Sequence, residues 1–84
     1  MAKAQFFGRL RDVAACAERP LALAQPLPLS AVRALAAAGD AELLQALAAP
    51  GIRVAVNDAI APMGADPLIA PGDAVAFLPP FSGG

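Results

Sequence analysis

The stretch Lys3-Ala4-Gln5-Phe6-Phe7-Gly8-Arg9-Leu10-Arg11-Asp12-Val13-Ala14 changes its period part-way along. Up to Phe7 the residues alternate, with Ala4 and Phe6 on one face and Lys3, Gln5 and Phe7 on the other, the pattern of a strand with one buried side. After Gly8 the apolar residues recur at Leu10, Val13, Ala14 and Ala17, the spacing of a short helix of about two turns, with Arg9, Asp12 and Glu18 outward. A strand passing directly into a helix predicts a mixed α+β domain, and the chain on either side extends that pattern.

Pro20 opens a second alternating run, in which Leu21 and Leu23 share a face. From Gln25 to Leu29 two prolines remove backbone donors and favour extended geometry. Ser30 is placed to cap a helix with an apolar stripe of Val32, Leu35 and Ala36 and a stop at Gly39. Asp40 is placed to cap a further short helix, with Leu43, Leu44 and Leu47 inward and Pro50-Gly51 as its end. Ile52, Val54 and Val56 alternate with Arg53 and Ala55 as a half-buried strand, and Asn57-Asp58 turns the chain into a short strand around Ile60. Pro71-Gly72 suits a type II turn. Asp73 to Leu78 reads as the last strand, with Val75 and Phe77 inward and Ala74, Ala76 and Leu78 outward. This order of elements predicts a single mixed sheet with helices packed on one face.

Composition narrows the chemistry. The chain has 84 residues, enough for one small core, and 23 of its apolar residues are alanine. Six basic and seven acidic residues give a net charge of −1, which predicts no nucleic-acid partner and no anionic membrane surface. There is no His and one Cys. A disulfide framework, a zinc cluster, a four-thiolate iron–sulfur cluster and an imidazole base are therefore excluded, and no metal or bound cofactor is expected. No apolar run approaches the roughly eighteen residues of a membrane span, and the first residues are too mixed for a signal peptide. A reduced, cytoplasmic protein is the expectation.

The ending Pro79-Pro80-Phe81-Ser82-Gly83-Gly84 holds the most specific signal. Two prolines stop the strand and keep the backbone extended, so the domain organisation predicted is a globular body over 1–78 and a flexible tail over 79–84. Extended, the six tail residues reach roughly 20 Å, far enough to enter a partner's active site while the body stays outside. Gly83 and Gly84 lack side chains, so they fit a narrow channel and leave the terminal carboxyl carbon open to attack.

Phe6-Phe7-Gly8-Arg9-Leu10-Arg11-Asp12, Val54-Ala55-Val56-Asn57 and the run from Pro71 to Gly84 together resemble the small, sulfur-carrier subunit of molybdopterin synthase, over essentially the whole chain. The resemblance implies a ubiquitin-like β-grasp fold with the first and last strands adjacent and parallel at the sheet centre. It implies that an ATP-dependent adenylating enzyme activates the Gly84 carboxylate, ATP being the partner's substrate and not a cofactor held here. Sulfur from a persulfide donor then makes a thiocarboxylate, which the large synthase subunit uses on a cyclic pyranopterin monophosphate in building molybdopterin. On this reading Gly84 is the reacting residue, and Pro79, Pro80, Phe81, Ser82 and Gly83 thread the tail. Acid–base groups belong to the partner, the chain being non-catalytic alone and the assembly a heterotetramer.

Phe7 and Leu78 fall on the outward faces of strands which that fold places side by side; with Phe81 they form a predicted docking surface. Cys16 reads as an inert lone thiol, Arg9, Arg11 and Asp12 as a solvated helix face, and Asn57, Asp66 and Asp73 as residues that orient turns. Two other functions share the Gly-Gly end: a sulfur carrier of thiamine or cysteine type, and a ubiquitin-like modifier that forms an isopeptide through Gly84. A binding module with a passive tail is the remaining alternative.

Overall fold

The change of period at Gly8 is a strand-to-helix junction. The structure, a computed structural model, describes residues 1–80. Its elements are β1 (Ala2–Phe6), α1 (Arg9–Ala14), β2 (Glu18–Leu21), β3 (Leu27–Pro28), α2 (Leu29–Ala37), α3 (Ala41–Leu47), β4 (Arg53–Val56), β5 (Ala59–Ile60), β6 (Leu68–Ile69) and β7 (Ala74–Leu78). Five strands form a sheet in the order β2-β1-β7-β4-β5. β1 and β7 pair in parallel, with Ala4 opposite Val75 and Phe6 opposite Phe77. The other pairs are antiparallel. This is the β-grasp arrangement, and it puts the last strand at the sheet centre.

The alternation in β1 and β7 sends Ala2, Ala4, Phe6, Val75 and Phe77 to one face, where they meet Leu10 of α1, Val32 and Ala36 of α2, and Leu43 and Leu47 of α3. Phe6 and Phe77 stack with ring centroids 6.0 Å apart. Arg19 of β2 lies over the Phe6 ring at 5.7 Å. Its guanidinium donates to the carbonyls of Ala36 at 2.6 Å and Ala14 at 3.3 Å. These carbonyls belong to the last turns of two helices and have no intrahelical partners, so one side chain closes both helix ends. Cys16 is half-buried, with Arg19 Nη2 3.6 Å from its sulfur.

Several expectations are corrected. A second sheet exists: β3 and β6 pair antiparallel, Leu27 opposite Ile69, and bury Ile69 completely. Elements of two residues are too short for periodicity to reveal. α1 ends at Ala14 because Ala15 turns left-handed (φ 62°), which leaves Ala17 outside it. Ser30 lies within the first turn of α2 and does not cap it. Its N–H and hydroxyl donate to the two oxygens of Asp66, at 2.7 and 2.9 Å, so a carboxylate distant in sequence supplies the cap. The left-handed residue ending α2 is Ala38, with Gly39 following at φ 84°. Leu35 and Leu44 are 44% and 39% exposed, while Ala37 is buried, because each leucine lies one step round its helix from the inward stripe. Ile52 precedes β4; Ala55 lies on the outward face as expected but is covered there by its neighbours and is buried. Gly72 has no positive φ, so the turn closed by Asp73 N–H on the Ala70 carbonyl (3.0 Å) is not type II.

Asp40 caps α3 as expected, accepting from the N–H groups of Glu42 and Leu43. Asn57 and Asp58 both have positive φ, the geometry of a two-residue hairpin turn between β4 and β5. Asn57 also locks that turn to β7: its amide donates to Asp73 at 2.9 Å and accepts from Ala74 N–H at 2.9 Å. Asp73 accepts the N–H of Ala70 at 2.8 Å, and this bond, then that from Asn57, holds its carboxyl below the ordinary carboxylate range.

A depressed native pKa means stability that is present above the unfolded value and lost as pH falls through the folded one. Denaturant midpoints followed from about pH 5 to pH 2 are therefore expected to fall more steeply for the native chain than for Asp73→Asn. Parallel curves would show that the Asp73 contacts contribute nothing.

Candidate functional site: the open sheet face and the root of the C-terminal segment

The helices cover one side of the five-stranded sheet, and the other side is built from what alternation leaves over. Phe7 continues β1, its N–H donating to the Phe77 carbonyl at 3.2 Å, and it is 40% exposed. The parallel register brings it beside half-buried Leu78, which in turn faces Arg53 of β4. One row along, Gln5, Ala76, Ala55 and Ile60 lie opposite one another across four strands, with Ile60 52% exposed. The two alanines keep the middle of the face shallow between Phe7, Leu78 and Ile60. Lys3, Glu18, Gln5 and Arg53 supply its polar margin, Lys3 and Glu18 being 3.8 Å apart.

β7 ends at Leu78, and Pro79 and Pro80 lead the chain out over two glycines. Gly8 has φ 58° and ψ −138°, a conformation open to glycine, and a Cβ there would lie 2.7 Å from Pro79 Cγ. Gly51, at φ 89°, has Pro80 against it, with a would-be Cβ 3.4 Å from Pro80 Cβ. The departing chain therefore rests against the junction after β1 on one side and the loop after α3 on the other. Gly51, Arg53, Ile60, Leu78 and Pro80 enclose a broad depression of about 510 Å³ at this exit. Sequence reading used Gly8 and Gly51 as punctuation and missed this role; contacts between residues so far apart in the chain leave no periodic trace.

Of the predicted site residues, Phe7, Leu78, Pro79 and Pro80 are brought together at one end of β1 and β7. Phe81, Ser82, Gly83 and Gly84 lie outside the described residues. Arg9, Arg11 and Asp12 are exposed on α1. Among the described residues no three His, Cys, Asp or Glu side chains gather as metal ligands, and no helix is long and apolar enough to cross a membrane. The chemistry available at this site is that of an apolar docking face beside an emerging chain end.

The ThiS family model matches residues 4–84, almost the entire chain. The chain belongs to the ThiS family. It is thus a ubiquitin-like protein of the sulfur-carrier kind, and the β-grasp topology agrees. The solution structure of small archaeal modifier protein 1 (SAMP1) from Methanosarcina acetivorans superposes with a TM-score of 0.80 at 22% identity, covering 99% of this chain and 95% of that one. The crystal structure of SAMP1 from Haloferax volcanii gives a TM-score of 0.79 at 21% identity, covering 99% and 98%. At this identity the likeness establishes the fold. No curated protein sequence matches the chain.

Proposed function

We propose that this ThiS-family chain is the sulfur carrier of molybdopterin synthase, acting in molybdenum cofactor biosynthesis in the cytoplasm. The observation that supports this best is the exit of the chain from β7. Pro79 and Pro80 are seated against Gly8 and Gly51, so the segment ending Gly83-Gly84 starts from a fixed point beside an apolar face. The family match, which runs through Gly84, adds to it.

Each part then has a task. A carboxylate resists attack because resonance stabilises it, so an adenylating enzyme joins Gly84 to AMP and releases pyrophosphate. A persulfide sulfur displaces AMP from the acyl carbon, and a thiol cleaves the resulting sulfur–sulfur bond, leaving the Gly84 thiocarboxylate. Gly83 and Gly84 pass the narrow entrance of the large subunit, with Phe81 and Ser82 behind them. The sheet face carrying Phe7 and Leu78 docks outside and converts delivery into an intramolecular step. Acid–base groups come from the large subunit, as a chain without His requires.

The reading is tested by supplying loaded carrier, large subunit and cyclic pyranopterin monophosphate: conversion of the pterin is the expected result, and none with a competent large subunit excludes the pathway. The second reading is a protein modifier, favoured by the SAMP1 neighbours, which are named as modifiers. Conjugates surviving a denaturing gel would establish it.

Docking makes a separate prediction. Phe7→Asp puts a charge on the apolar face beside Leu78 and is expected to weaken binding to the large subunit or adenylating enzyme at least about tenfold. Because Phe7 lies outside the core, the unfolding midpoint should stay near that of the native chain. Loss of the fold, or unchanged affinity, would remove Phe7 from the interface.

A further inference from the structure

The broad depression beside Pro80 has one charged residue in its wall. Gly51, Ile60, Leu78 and Pro80 supply apolar surface and bare backbone, and Arg53 supplies a guanidinium. Arg53 opens β4 directly opposite Leu78, so the two share the sheet face that the helices leave open. It is exposed, and the one ion pair among the described residues joins Lys3 to Glu18 elsewhere on that face. In the isolated chain, water solvates the Arg53 charge.

We infer that Arg53 determines specificity in docking, and that the partner surface seated in this depression carries a carboxylate. The inference rests on the reading that this face docks onto the adenylating enzyme, which the carrier and modifier readings both require. A partner that covers Leu78 and Ile60 also takes Arg53 out of water, and a guanidinium so stripped is strongly unfavourable without a counter-charge. A carboxylate answers it best, because its two oxygens match the guanidinium fork.

Five residues wall a depression of about 510 Å³, too few to bury most of a free small molecule. The fit is therefore an Asp or Glu side chain held on a protein surface, with apolar neighbours against Leu78 and Ile60. Phe7 and Leu78 contribute apolar area that many surfaces could cover. Arg53 selects among those surfaces by the sign of their charge.

The test is calorimetric titration of the adenylating enzyme with the full native chain and with Arg53→Lys, Arg53→Gln, Arg53→Glu and Gln45→Glu. Gln45 is exposed on α3, on the covered side of the sheet, and its change alters the net charge by as much as Arg53→Gln does. Arg53→Lys keeps the charge and should bind within several-fold of the native chain. Arg53→Gln should weaken binding at least about tenfold, and Arg53→Glu, which sets like charges together, further still. Gln45→Glu should bind as the native chain does.

Arg53 lies outside the core, so the unfolding midpoints should stay together; the Lys and Gln variants decide the matter even if Glu disturbs the sheet. Equal affinities for Arg53→Lys and Arg53→Gln, or a loss in Arg53→Gln matched by Gln45→Glu, would overturn the proposal. A native chain that the enzyme does not bind at all overturns the docking reading itself, and the proposal falls with it.

Discussion

A chain shortened by Gly83 and Gly84 is expected to unfold at the same denaturant concentration as the full chain and to accept no sulfur. Among the described residues the buried core runs from Ala2 to Phe77, so nothing in it is removed. The shortened chain loses about 7 Å of extended reach, while misplacement of a reacting atom by about 1 Å already costs about a hundredfold in rate. The new terminus is also Ser82, whose side chain crowds a carboxyl that glycine leaves open. Loading by the adenylating enzyme should therefore fall at least about a hundredfold. Loading at the native rate would mean that the two glycines have no part in the reaction.

Phe77→Ala is expected to have the largest effect on stability. Phe77 is fully buried at the sheet centre, stacks on Phe6, and faces Val54 across the β4–β7 pairing. Removing a buried phenyl ring costs about 3–5 kcal/mol, while a chain of this length has about 4–13 kcal/mol in total. The variant should thus lose a large share of its stability, read as a fall in the urea midpoint. Leu78→Ala, one residue along but on the half-buried face, should lose much less. Equal losses would mean that the two faces of β7 are not distinguished as the burial pattern requires.

The fold was legible where side chains repeat. Ala4, Phe6, Val75 and Phe77 alternate in elements long enough to count, and the switch at Gly8 marks the entry to α1. Pairing β1 with β7 in parallel came from the resemblance alone, because alternation does not say which strands are neighbours. Residues whose role depends on a distant part of the chain stayed hidden: Asp66 capping α2, Arg19 closing two helix ends, and the β3–β6 pair. Leu35 and Leu44 were misjudged because a helix of nine residues or fewer buries a narrow stripe, and hydrophobicity alone does not place a leucine within it.

The candidate site shows the same division. Phe7 and Leu78 were legible as outward positions, and the structure puts them side by side. The seat that Gly8 provides for Pro79 was not legible, since it depends on a missing side chain where a Cβ would lie 2.7 Å from the proline across the fold.

The most direct measurement is the mass of the C-terminal peptide after incubation with ATP, an adenylating enzyme, a persulfide donor and a thiol. Replacement of one oxygen by sulfur at Gly84 is the predicted result. Oxidation at Met1, Met63 or Cys16 gives nearly the same mass change, so the change must be located on the terminal peptide. An unaltered terminal peptide, with the same enzyme loading a control carrier, would contradict sulfur carriage by this chain.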